Sequence, residues 1–272
     1  MRIDVALVPA EAKRWGRSVC VVLDELRASS TIVTLLERGA DAVIPAASLA
    51  EARRLARAIG PTAVLAGELH VVRAPGFDLG NSPAEAWRAD LRGRVAVLSS
   101  RNGTGVLRSM PGDATVIVGC LLNATAAARA AYVRARQAQV DLGIVCAGRR
   151  GTFAIDDAIA AGAILERVLA EAGVDDRDLA TADGRLDPRV PREPADVLVL
   201  TDSARAALQL WRSTPDLVVA FEASWSGHLL ASNNLVEDIA ASLPVDASDI
   251  VPVVVAGRPW RIEPQRIEPR RA

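Results

Sequence analysis

Lysine is almost missing from this chain. Among its 32 basic residues only Lys13 is a lysine, the rest being arginine. A Walker-type phosphate loop needs Gly-Lys-Ser/Thr, and no such triplet occurs. A Schiff-base enzyme needs a core lysine, and Lys13 stands in a polar stretch before the first firm core strand. Histidine is scarce too, with only His70 and His228. The three cysteines, Cys20, Cys120 and Cys146, each sit inside an apolar run. Zinc ligation is therefore not expected. An odd number of buried thiols points to a reducing compartment without disulfides. Aromatic residues make up 3%, so the core must be built of Ala, Val, Leu and Ile. A net charge of -1 supplies no basic excess for nucleic acid. No apolar run reaches the roughly eighteen residues of a membrane span. Arg2 and Asp4 interrupt the start, so no signal peptide is expected and a cytoplasmic protein is.

What is present is a repeated alternation of short apolar runs and helical patterns. Residues 3–8, 19–23, 42–44, 63–66, 94–98, 114–118 and 140–145 read as strands. Between them come helices over 30–38, from Ser48, from Ser82-Pro83, after Thr104, from Asn123 and from Asp156. Residues 69–80 show no period and read as a long loop, which in a compact domain is usually functional. The alternation predicts an α/β fold in three layers, α/β/α, with a mostly parallel or mixed sheet. The strands are continuously apolar, which fits burial on both faces. The last third reads as helix-rich. Residues 175–195 are expected to be a helix end and surface loop. Residues 251–255 are expected to be a late edge strand, because Pro252 cannot donate to a ladder. One domain over residues 1–262 is expected, with a disordered tail from 263 to 272.

Polar clusters follow the strands: Asp24 to Thr31, Gly67-Glu68, Ser99 to Thr104, Asn123, and Ala147-Gly148 to Asp157. In a parallel sheet these positions share the carboxyl edge, where ligands bind. Carboxylates without His or Cys suit a hard cation such as Mg²⁺. Asp156 and Asp157 equally suit a helix N-terminus. Ser29, Ser30 and Thr31, and again Asn102-Gly103-Thr104, open helices whose free N–H groups attract anions, with Arg27 and Arg101 as bidentate partners. Capping alone also explains such hydroxyls. The combination points to a small, doubly anionic ligand and a divalent metal, that is, phosphate-ester chemistry. Three phosphatase mechanisms do not fit. No cysteine is followed by the Cys-x5-Arg arginine. Asp24-Glu25-Leu26 is not Asp-x-Asp, and no later lysine exists. Arg-His-Gly is absent.

Several blocks then resemble the 2-phosphosulfolactate phosphatase family. They are Asp24-Glu25-Leu26-Arg27-Ala28-Ser29-Ser30-Thr31, Gly67-Glu68, Gly76-Phe77-Asp78-Leu79-Gly80-Asn81-Ser82-Pro83, and Ser99-Ser100-Arg101-Asn102-Gly103-Thr104. Asn123-Ala124, Cys146-Ala147-Gly148 and Asp156-Asp157 also match, and Ser226-Gly227-His228 and Asp238-Ile239 match more faintly. The resemblance implies Mg²⁺-dependent hydrolysis of a small phosphate monoester, in the family associated with coenzyme M biosynthesis. It implies Asp24, Glu68 and Asp157 as metal ligands, with Asp24, Arg27 and Glu68 catalytic. Asp24 has two open roles, metal ligand or nucleophile. Ser29, Ser30, Thr31, Asn81, Ser82, Arg101, Asn102, Gly103, Thr104, Asn123 and Gly148 are the expected substrate contacts. The chain departs from the pattern at Leu69, where the family has arginine, and at Arg101, an added cation. These changes bear on the non-phosphate end of the substrate and leave another short phosphorylated hydroxy acid as an alternative. A lyase or mutase on a phosphorylated acid, and a non-catalytic anion-binding protein, are the rival classes. A homodimer is the expected assembly.

Overall fold

The structure, a computed structural model, describes residues 1–174, 198–255 and 260–266. Among the described residues eleven strands form one sheet. In chain order they are β1 (Arg2–Ala6), β2 (Val19–Leu23), β3 (Ala42–Pro45), β4 (Ala63–Leu69), β5 (Val72–Arg73), β6 (Val95–Ser99), β7 (Thr115–Val118), β8 (Leu142–Cys146), β9 (Val199–Leu200), β10 (Ile250–Val255) and β11 (Arg261–Arg266). The helices are α1 (Ala28–Glu37), α2 (Leu49–Ile59), α3 (Pro83–Trp87), α4 (Gly103–Ser109), α5 (Ala124–Ala138), α6 (Ile155–Ala172), α7 (Asp202–Arg212), α8 (Leu217–Glu222), α9 (Trp225–Ala231) and α10 (Val236–Ser242). The α/β class and the helix-rich last third are as the sequence predicts. The expected loop at 175–195 lies outside the described residues.

The sheet order is β5-β4-β6-β3-β11-β10-β7-β2-β8-β1-β9. It consists of two parallel blocks, β4-β6-β3 and β7-β2-β8-β1-β9, joined by the antiparallel pair β11-β10. Two expectations fail here. β10 is not an edge strand but lies inside the sheet. Residues 263–266 of the tail expected to be disordered lie in the sheet as part of β11, and residues 267–272 lie outside the described residues. The physical reason is the pairing of prolines. Pro252 faces Pro264 across the hairpin, so both missing donors fall at one level. The ladders on either side are correspondingly thin, with Val253 paired to Ile117 and Ile262 to Val43.

Each strand serves two cores because successive side chains alternate. Val19, Val21 and Leu23 of β2 pack with α5, α6 and α7 on one face. Cys20 and Val22 pack on the other with Ile32 and Leu35 of α1 and Val106 and Leu107 of α4. Five strand spacings separate β2 from β6, about 24 Å in a flat sheet at ~4.8 Å each. Yet the loop after β6 touches the loop after β2, because Gly103 N–H reaches Asp24 at 2.6 Å. The sheet therefore wraps around α1 and α4, and its wrap brings the carboxyl ends of both blocks to one place.

Candidate active site

The site starts where β2 ends. Asp24 is buried, and its carboxylate lies between the first turns of α1 and α4. Oδ2 accepts the Gly103 N–H at 2.6 Å, and the Ala28 N–H also bonds to the carboxylate. The positive ends of both helices thus meet the aspartate. Gly103 is required for this approach. A Cβ built there would lie 2.7 Å from both Ala28 Cβ and Asp24 Oδ2. The loop behind is self-bonded: Asp24 N–H donates to Ser29 Oγ at 2.8 Å, and Ser30 Oγ donates to the Glu25 carbonyl at 3.0 Å.

Arg27 projects from the same loop into a three-sided cage. Nη1 donates to Asp238 of α10 at 2.5 Å, and Nη2 to Glu68 at the end of β4 at 2.9 Å. Nη2 also donates to the Val71 carbonyl. Val71 is presented by a two-residue hairpin loop, His70-Val71, with φ of 51° and 78°. Positive φ at both positions suits the twist of a hairpin but is strained for valine, at about 1–3 kcal/mol. The predicted loop at 69–80 thus contains a hairpin. Asp238 also accepts from Ser82 Oγ at 2.5 Å and from Ala84 N–H at 3.3 Å, which ties α3 to Arg27.

The acids are buried close together. Burial, then the charges of Glu68 and Asp156, push the Asp24 carboxyl up to about 7. Burial pushes Asp156 up to about 6 and Glu25 up to about 8. Asp157 is raised by burial and then by Asp156 and Asp24. Buried acids this close hold protons unless a cation arrives.

The expected site residues separate into groups. Asp24, Arg27 and Glu68 come together, and Arg27, Glu68, Arg101 and Asn102 line a cavity of about 180 Å³. Asp157 is engaged elsewhere, its oxygens accepting the Glu25 and Gly148 N–H groups at 2.8 and 2.7 Å. It clasps the loop after β2 to the loop after β8. Gly148 has φ +61°, and a Cβ there would lie 2.2 Å from the Thr152 carbonyl oxygen. Asn123 is fully buried and bonds Cys120 N–H and the carbonyls of Val118 and Ile250, away from the cavity. Ser29 and Ser30 spend their hydroxyls on the loop after β2, and Ser82 spends its hydroxyl on Asp238 of α10. Thr104 Oγ1 donates to the Ser100 carbonyl at 2.9 Å. Thr31 Oγ1 and Asn81 Oδ1 are buried without a partner. The cysteines are free and buried, and burial pushes Cys20 up to about 12.

Sequence reasoning did not single out Glu25, Arg149 or Arg150, and gave Asp238 no role. Glu25 is fully buried, accepting Leu121 N–H at 3.1 Å, and Arg149 and Arg150 line the cavity. The available signals were an acid inside an apolar helix start (Asp238) and paired arginines beside a glycine turn. A larger cavity, about 440 Å³, lies between α1, α3 and α10, but it is apolar and holds neither Asp24 nor Glu68.

The donor set suits a hard cation: carboxylate oxygens, no thiolate, and mutually repelling acids. Among the described residues, no group of three or more His, Cys, Asp and Glu is arranged to hold an ion unaided. Mg²⁺ ordinarily takes one or two carboxylates and completes its shell from water and substrate phosphate.

Fold and site together define an α/β protein with an arginine-lined pocket that includes Glu68 and adjoins the buried Asp24 at the carboxyl ends of its strands. The chain matches the 2-phosphosulpholactate phosphatase family over residues 6–257 and belongs to it. It is 34% identical over 258 residues to a protein of Deinococcus radiodurans named probable 2-phosphosulfolactate phosphatase, covering 94% of this chain and 95% of that one. A protein of Thermus thermophilus with the same name is 33% identical, covering 93% and 94% respectively. One of Caldanaerobacter subterraneus is 40% identical over 163 residues, which is 60% of this chain and 66% of that one.

Proposed function

We propose that this chain is an Mg²⁺-dependent phosphatase of small phosphate monoesters, with 2-phosphosulfolactate as substrate and sulfolactate and phosphate as products. The observation that carries the reading is Asp24, held at the meeting of α1 and α4 beside Glu68 with its carboxyl pushed up to about 7. Family membership supports it. Asp24 and Glu68 would hold the cation, which supplies neutralisation of the phosphate and a lower pKa for the attacking water. Arg27 carries little free charge, since Asp238 and Glu68 neutralise it, so its part is to aim Glu68. With one Asp24 oxygen already bonded to the Gly103 amide, we assign Asp24 the ligand role rather than that of nucleophile.

A second reading rests on Leu69, which is 41% exposed where the resemblance places arginine. It keeps the phosphatase chemistry and replaces the substrate by another short phosphorylated hydroxy acid. The experiment is a phosphate-release screen over 2-phosphosulfolactate, phospholactate and phosphoglycerate, with and without chelator, run beside Asp24→Asn. Release that needs Mg²⁺ and is lost in Asp24→Asn is expected. No metal-dependent release from any substrate refutes the proposal, and preference for phospholactate selects the second reading.

A further inference from the structure

Arg101, Arg149 and Arg150 form a basic wall of the cavity, and Glu68 is the acid in its lining, paired with Arg27. Asp24, whose carboxyl feels the charges of Glu68 and Asp156, and Asp238, the second partner of Arg27, stand outside that lining. Among the described residues none of these three guanidinium groups has a carboxylate partner. A divalent cation at Asp24 and Glu68, with the phosphate monoester it binds, accounts for the acids and leaves three positive charges uncompensated.

The basic wall is built, not incidental. Arg149 and Arg150 sit on a tight turn in which Arg149 N–H donates to the Thr152 carbonyl and Thr152 N–H returns to Arg149, both at 2.9 Å. Arg150 and Gly151 take φ of 50° and 84°, the pattern of a two-residue hairpin turn. Arg150 N–H donates to Asn102 Oδ1 at 3.2 Å, which locks this turn to the loop carrying Arg101. The Arg149 guanidinium lies over the Trp225 ring, 4.5 Å from its centroid. That stack fixes the plane of the fork without consuming its donors. Burial and the charges of Arg150 and Arg101 lower the Arg149 pKa, as like charges without a counter-ion should. Leu229 and Leu230 add apolar lining, and the cavity's volume of about 180 Å³ admits a short-chain acid.

Resting on the phosphatase reading above, we infer that Arg101, Arg149 and Arg150 form a second anion subsite that selects substrates carrying a carboxylate or sulfonate a short carbon span from the phosphate ester. Arg149 is the specificity-determining residue, and Trp225 is a positioning residue that acts through it.

The test uses the full chain in two measurements. The first is calorimetric binding of sulfolactate, which carries carboxylate and sulfonate but no phosphate, without metal. Arg149→Gln is expected to raise Kd about 10–100-fold, the loss of one charge-assisted contact. Arg149→Lys, which keeps the charge and loses the fork, is expected to fall between, and Trp225→Leu to weaken binding less than Arg149→Gln. A Kd within about threefold of the unmodified chain's in Arg149→Gln overturns the inference. The second measurement compares kcat and KM for 2-phosphosulfolactate and isopropyl phosphate with Mg²⁺. Arg149→Gln should raise KM for the former and leave the latter unchanged. An equal loss on both overturns the subsite, because the trio would then serve phosphate or folding. If no substrate turns over, the phosphatase reading fails, while the sulfolactate measurement still decides the subsite.

Discussion

Replacing Asp238 by asparagine perturbs one oxygen and keeps the shape of the side chain. Oδ1 still accepts from Ser82 Oγ and Ala84 N–H. At the other position an amide NH₂ now meets Arg27 Nη1, donor against donor, at a site where both side chains are about 2–3% exposed. Removing one partner of a buried ion pair costs about 3–5 kcal/mol. Glu68 remains beside Nη2, so the lower end applies, about 3 kcal/mol. With a urea m-value of about 3 kcal/mol/M, the midpoint should fall by about 1 M. The stricter measurement is a cycle with Arg27→Met. If the pair holds the cage together, the double variant is less destabilised than the sum of the singles, by up to about 3 kcal/mol. Additivity within about 0.5 kcal/mol would refute the reasoning. Because Arg27 also aims Glu68, Asp238→Asn should weaken Mg²⁺ binding at a temperature where it is still folded, and intact metal affinity would break that link.

Two other outcomes follow from the same geometry. Gly103→Ala drives a methyl group against Asp24 Oδ2 and Ala28 Cβ, and overpacking of this kind costs about 1–3 kcal/mol. It should abolish phosphate release while calorimetry still records a folding transition, and retained activity would show that Asp24 has no fixed place there. Glu25, pushed up to about 8 by burial, binds a proton in the folded chain that the unfolded chain releases near its ordinary value of about 4.3. Its contribution to stability is therefore largest at low pH and falls as pH rises from about 4 to 8, by at most about 1.4 kcal/mol per pH unit. Glu25→Gln should flatten that slope in urea titrations, and an unchanged slope would place the charge elsewhere.

The apolar runs and the polar residues after them were legible because strand periodicity and helix capping are local properties. Val19–Leu23 and the Asp24-to-Thr31 block needed no tertiary information. Neither did Ser48 and Ser82 as caps, each accepting an N–H three residues on. The placement of β10 was misread because a proline excludes a central strand only when its neighbours require its donor. Here Pro252 faces a second proline, on β11, which local pattern does not reveal. The hairpin at His70-Val71 was missed because its strained residues are held by Arg27, far away in sequence.

By itself the sequence determined the fold class and nominated Asp24 and Glu68, which follow β2 and lie in β4, because residue type and short-range spacing decide those things. Tertiary structure alone decided how each polar atom is used. The wrapped sheet puts Gly103 against Asp24 and Asp238 against Arg27, it spends Asp157 and Asn123 on backbone groups, and it leaves Arg101, Arg149 and Arg150 unopposed. Whether a carboxylate or guanidinium is free depends on partners tens to hundreds of residues away, and only the folded chain brings them together.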